Sequence, residues 1–246
     1  MSLRDLLTRE GRARWSLERR IAKATNKWMQ SVDRMSALEQ LKADGSDQAI
    51  FGLLRRFGVV SDKSIEDEQE KEWVFEALID LGERTVPPLR RTLIGTASLA
   101  WPLRLADRIL EREQLWAILQ EILAGTEPGY ERDPTRKVQL IAFLGDWRDK
   151  RATVCVTPYL EDMDETVRFA AVDALMRLRD ETAREPLLAR LVDEREESRR
   201  IKMRICEALA DLGWTVHGFR GQVEKVLPDA FMLDREGHVK RKKAAE

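Results

Sequence analysis

The chain has 246 residues, 35% of them charged and 7% aromatic, enough to bury about three quarters of the surface that the unfolded form exposes. A formal net charge of −1 excludes global attraction to nucleic acid or to a membrane, so any such attraction must come from local asymmetry. Cys155 and Cys206 are too few for a disulfide framework and fit a reducing cytosol, and the longest uncharged run, Thr92 to Leu103, is too short for a bilayer crossing of about 20 residues.

The opening stretch, MSLRDLLTREGRARW, lacks the apolar core of a signal peptide. Over residues 1–36 the basic side chains Arg4, Arg9, Arg12, Arg14, Arg19, Arg20, Lys23 and Lys27 outnumber Asp5, Glu10 and Glu18. Leu17, Ile21, Ala24, Trp28, Val32 and Met35 recur at steps of three or four, which predicts an amphipathic helix with a basic face. Gly11 is expected to break it from a shorter helix, Leu3 to Arg9. The long helix continues through Ala37 to Lys42 and ends at Gly45. Ser46 or Asp47 caps the next one, striped by Ile50, Leu53, Leu54 and Phe57, with Arg55 and Arg56 pointing away from the stripe.

Ser64 is the expected cap of a helix whose first turns hold Glu66, Asp67, Glu68 and Glu70, where the helix dipole favours acids in solvent. That helix runs through Trp73, Val74, Ala77, Leu78 and Leu81 to Gly82. Pro87-Pro88 opens a second helix carrying Leu89, Leu93 and Ile94, with Arg90 and Arg91 outward. Trp101-Pro102 and Gln114 start the next pair, striped by Leu105 and Ile109 and by Leu115, Ile118, Leu119 and Ile122. After the loop Gly125–Pro134, Val138, Ile141, Ala142 and Leu144 mark a further helix. Gly145 to Arg151 reads as a long turn, and Thr153 to Leu160 as its mate.

The clearest segment is DETVRFAAVDALMRLRDETAREPLLARL, Asp164 to Leu191. Val167, Ala170, Ala171, Ala174, Leu175 and Leu178 stripe one helix, and Ile201, Ile205, Ala208, Leu209 and Leu212 repeat the pattern 34 residues on. The combination V-R-x-A-A-x-x-A-L-x-x-L resembles the HEAT repeat, in particular the short HEAT-like repeats of phycobilisome-lyase type. The resemblance is good over 164–213 and looser over 65–163. It implies an all-α, right-handed α-α superhelix (a HEAT-like solenoid) of about five repeats over 37–228. A basic helical cap over 1–36 would cover the apolar end of that stack. Binding a partner helix or lying on a membrane are the other uses of such a helix, and the interspersed acids and the lack of bulky apolar residues on one whole side weigh against the membrane. Residues 229–246 form a C-terminal extension. Phe231-Met232-Leu233 and the turn Asp234–Gly237 suit a small hairpin to Val239, followed by a basic tail, Lys240 to Lys243.

No residue constellation for catalysis, metal or cofactor emerges. His217 and His238 are the only histidines and show no zinc-ligand spacing. HEAT-like iron hydroxylases use His-Glu pairs, whereas here Gly218 and Val239 follow the histidines. The acidic run Glu161–Glu165 lacks the glycine of a calcium loop and reads as an inter-repeat loop. Trp73, Trp101, Trp116, Trp147 and Trp214 read as core packing. The resemblance leaves function open, because one fold hosts many activities. The reading that follows is a non-enzymatic cytoplasmic scaffold that binds another protein, with Arg55, Arg56, Arg90, Arg91 and Arg190 exposed toward an acidic partner. The second helices, which line the concave face in HEAT solenoids, carry these arginines. The alternatives are a nucleic-acid-binding protein similar to the HEAT-like alkylpurine DNA glycosylases, and a lyase- or chaperone-like subunit acting on another protein.

Overall fold

Leucine, isoleucine, valine and alanine at helical spacing bury one stripe of each short helix, and the backbone follows that pattern almost throughout. The structure is a computed structural model that describes residues 8–242. The expected helix from Leu3 and the end of the basic tail at Lys243 therefore fall outside the described residues. Among the described residues there are thirteen α-helices and one two-stranded hairpin, which makes the protein all-α in class. They divide into two compact units, Met1–Gly125 and Thr126–Glu246.

The first unit holds α1 (Arg9–Ala24), α2 (Ser31–Asp44), α3 (Asp47–Arg55), α4 (Ser64–Asp80), α5 (Val86–Gly95), α6 (Ala100–Ile109) and α7 (Arg112–Ala124). The first helices of each pair, α2, α4 and α6, adjoin in order. So do the second helices, α3, α5 and α7. Between the two layers lie Leu38, Leu41, Ile50, Leu53, Leu78, Leu89 and Leu93, all fully buried. A helix pair this short cannot cover its own apolar face, so stacking supplies the core. Gly45 ends α2 in the left-handed conformation (φ 57°), and the Ser46 hydroxyl caps α3 by accepting from the Ala49 N–H at 3.3 Å. Ser64 is the first helical residue of α4 and not its cap, which is Lys63.

Two expectations at the N-terminal end are corrected. Gly11 does not break a helix: it lies in the first turn of α1, and its N–H donates to the Thr8 hydroxyl at 3.0 Å. The helix expected from Leu17 through Lys42 is instead two helices, α1 and α2, which pack against each other. The Thr25 hydroxyl donates to the Ile21 carbonyl at 2.8 Å, and the Asn26 side chain accepts from the Trp28 N–H at 3.0 Å. Such side-chain bonds give the backbone an alternative to helix. Trp28 and Val32, expected on a core stripe, consequently stand 75% and 80% exposed.

The second unit holds α8 (Thr135–Trp147), α9 (Ala152–Val156), α10 (Glu165–Leu178), α11 (Arg184–Val192), α12 (Arg199–Leu212) and α13 (Arg220–Val226). The first helices α8, α10 and α12 adjoin in order. The second layer runs from the 3₁₀ turn Thr157–Glu161 after α9 to α11 and α13. Gly145, expected in a turn, is buried inside α8. A Cβ there would sit 2.7 Å from Ala174 Cα, so glycine permits the close approach of α8 and α10. The hairpin forms where expected: β1 (Phe231–Leu233) pairs antiparallel with β2 (Val239–Arg241), Leu233 opposite Val239, and β2 packs on α12.

Candidate functional site

Three of the five arginines singled out from the sequence reach one surface of the first unit. Arg55, in the last turn of α3, is exposed and makes no hydrogen bond or ion pair with any described residue. It forms part of the wall shared by two clefts. One, of about 610 Å³, is lined by Phe51, Leu54, Val59 and Thr92, with Arg91 of α5 opposite Arg55. The other, of about 800 Å³, runs between α1 and α3, along Arg14, Leu17, Glu18, Ile21 and Phe51. Arg91 lies 3.7 Å from the Asp47 carboxylate, and Arg90 lies 2.9 Å from that of Glu121 on α7. Both pairs are exposed and so worth at most about 1 kcal/mol each, which leaves these guanidiniums open to exchange for another anion.

Arg56 does not share that surface. It is 0% exposed, one residue past the end of α3 in the 3₁₀ turn Arg56–Gly58. Its Nη2 donates to Asp67 Oδ1 at 2.7 Å and to Glu70 Oε2 at 2.9 Å, and its Nη1 donates to the Val59 carbonyl at 3.0 Å. Arg34 of α2 donates to the other Glu70 oxygen at 2.8 Å, as does the Ser31 hydroxyl at 2.7 Å. Lys71 Nζ meets Asp67 Oδ2 at 2.6 Å. The acidic start of α4, expected in solvent, is thus turned inward at Asp67 and Glu70. Burial alone would raise both carboxyls. The hydrogen bonds from Arg34, Ser31 and Arg56 on Glu70, and from Lys71 and Arg56 on Asp67, outweigh it and hold both below the usual range.

Arg190 is likewise buried, at 6% exposure, in the second unit. Its Nε and Nη2 both lie 2.8 Å from Glu196 Oε2, and Arg168 of α10 donates to the same oxygen at 2.9 Å. The parallel with the first unit is close: 22 residues separate Arg34 from Arg56 and Arg168 from Arg190. The same interval leads from Lys137, 3.0 Å from Asp162, to Tyr159, whose hydroxyl donates to the Thr126 carbonyl. In each case a cation on one first helix meets a buried acid in the second turn of the next (Glu70) or in the loop just before it (Asp162, Glu196). These are clips between consecutive repeats. They explain why Arg56 and Arg190 are not available at the surface.

No group of three or more His, Cys, Asp or Glu among the described residues could hold a metal ion. Burial raises both thiols, that of Cys206 to about 12, so neither is activated as a nucleophile. Of the five tryptophans read as core packing, Trp101 stacks on Phe57 with centroids 5.4 Å apart, and Trp147 is buried; Trp73, Trp116 and Trp214 are half-buried. No helix among the described residues is long and apolar enough to cross a membrane.

Within each unit, paired helices in two layers are the construction of an α-solenoid. The family model described as HEAT repeats matches residues 128–210, from the loop before α8 to the last turn of α12, so the second unit carries HEAT repeats. No curated protein matches the chain.

Proposed function

We propose that this protein is a non-enzymatic scaffold of the cytosol that engages a protein partner through the second-helix face of its first unit. The observation that carries the reading is the Arg55 guanidinium, exposed and unpaired on the wall between two clefts, with Arg91 across one of them. Apolar lining with cations at the rim suits a partner segment that presents both apolar side chains and carboxylates. Arg90 adds a third cation on the same helix as Arg91. In this reading residues 1–36 cap an array over 37–228, and 229–246 extend it. The two free cysteines accord with a reducing compartment.

Affinity capture from native lysate, with and without nuclease, tests the reading when run beside the triple charge reversal R55E/R90E/R91E. The expected result is a protein retained at stoichiometric level in both arms by the parent chain and lost by the variant. Capture that the triple reversal leaves unchanged would remove this face from consideration. Capture that disappears with nuclease would replace the protein partner with nucleic acid.

A further inference from the structure

Helix α1 has two unlike flanks. Arg14, Leu17, Glu18 and Ile21 face the larger cleft against α3. The other flank carries Arg12, Trp15, Arg19 and Lys23 at steps of three and four, which places them in one row. The buried Ile21 and Ala24 lie on the opposite side. Neither acid of α1 joins the row. Glu18 pairs with Arg14 at 3.2 Å, and Glu10 is two positions from Arg12, off its face. Residues 8–30 hold seven Lys or Arg against two Glu, a local charge of +5 in a chain of net charge −1. Two tryptophans stand out of the protein here, Trp15 at 41% and Trp28 at 75% exposure. Each has a cation over its ring: Arg19 at 4.6 Å from the Trp15 centroid and Lys27 at 4.5 Å from that of Trp28.

We propose that this flank of α1, with the turn that follows it, docks on an anionic phospholipid surface. The inference is independent of the scaffold reading and uses a different face. Tryptophan has an apolar body and one polar N–H, and it settles at headgroup depth. Lysine and arginine near an anionic leaflet strengthen attachment by about fivefold each. A cation lying on an indole face can remain there while it meets a lipid phosphate. A nucleobase, by contrast, would find one face of each ring already taken. Trp15, Arg19 and Lys23 line a groove of about 270 Å³ with Asp33 of α2, whose carboxylate would repel a nucleic-acid backbone laid along it.

The test is co-sedimentation of the full chain at low salt with vesicles of phosphatidylcholine alone and of phosphatidylcholine doped with phosphatidylserine. A single-stranded oligonucleotide serves as a third arm. The expected result is sedimentation with the doped vesicles only, weakened by salt and accompanied by a blue shift of tryptophan fluorescence. The double variant R19E/K23E should bind at least tenfold more weakly, with its circular dichroism unchanged; R19Q/K23Q gives the same reading should the reversal unfold the helix. Absence from the doped vesicles, equal sedimentation with both kinds, full binding by the folded variant, or binding to the oligonucleotide alone would each overturn the proposal.

Discussion

Arg190 and Glu196 are joined by two bonds from one guanidinium to a single carboxylate oxygen, both 2.8 Å long and both out of contact with solvent. The pair joins the last turn of α11 to the loop before α12, and Arg168 brings α10 to the same carboxylate. Glu196 also accepts from the N–H of Ser198, the cap of α12, at 2.9 Å, so three consecutive helices are tied at one charged point. Removing one partner of a buried ion pair costs about 3–5 kcal/mol, because the other charge is stranded. Arg190→Ala should therefore destabilise by about 3 kcal/mol, the low end, since Arg168 remains on Glu196. Arg55→Ala, on the open wall of a cleft, should change stability by less than about 0.5 kcal/mol. Urea unfolding of the two variants measures the contrast. Equal effects would mean that the Arg190 cluster contributes no more than a surface residue.

The same clusters set the acid limb of stability. Glu70, Asp67 and Glu196 are buried, yet their cationic partners hold their pKa values below the ordinary carboxylate range. Unfolded carboxylates take up protons near pH 4, before the folded ones do. The unfolded state then binds more protons, so this stability is complete at neutral pH and is lost as pH falls from about 5 toward 3. At the alkaline end the order reverses. The unfolded thiol ionises near pH 8.5 while Cys206 holds its proton to about 12, held there by burial and by Glu207. Stability should fall from about pH 9 upward, and Cys206→Ala should flatten that limb although Tyr159, also raised to about 12, leaves part of it. Melting temperature against pH reads both limbs.

How far these elements were legible depends on what each residue's spacing reveals. Gly45, Ser46 and the stripes of α10 and α12 stand where periodicity and capping put them, because backbone conformation and apolar burial act locally. Arg55, Arg90 and Arg91 were legible as outward for the same reason. Arg56 was not. It lies three positions after Leu53, on the buried side, but a charged residue reads as solvent-facing unless its partner is known. That partner, Glu70, is 14 residues on, and the other guanidinium on Glu70 comes from 36 residues before it. Local pattern carries no sign of such a pairing. The break at Thr25–Gln30 was hidden differently: Trp28 and Val32 continue the apolar spacing of α1, and only the side chains of Thr25 and Asn26 mark where the backbone turns.

Gly145 offers a test of the packing between α8 and α10. A Cβ at this position would meet Ala174 Cα at 2.7 Å, its Cβ at 2.9 Å and its carbonyl oxygen at 3.4 Å. Two of those atoms are backbone and cannot swing aside. Gly145→Ala gains a little helix propensity, about 1 kcal/mol, but must push two helices apart. Overpacking of this kind costs about 1–3 kcal/mol, so the net effect should be destabilising. Adding Ala174→Gly should recover only part of the loss, because the Cα and carbonyl contacts remain. A double variant as stable as the parent chain would show that the helices separate without cost.

The opposite outcome is expected at Arg179, which ends α10 with φ 53° and ψ 35°, and at Arg148, which ends α8 with the same angles. Gly213 fills the matching place after α12, at φ 68°. A side chain in this conformation brings Cβ against the following carbonyl, a strain of about 1–2 kcal/mol that glycine lacks. The Arg179 side chain is exposed and shows no ion pair or hydrogen bond among the described residues, so little is lost with it. Glycine's greater freedom in the unfolded chain takes back part of the gain. Arg179→Gly should therefore stabilise by about 0.5–1 kcal/mol, or raise the melting temperature by about 1–4 °C in a chain of this size. Arg179→Ala keeps the strain and should give no such rise. Scanning calorimetry of the two variants separates relief of backbone strain from mere loss of a surface charge, because both variants remove the guanidinium and only one relaxes the turn.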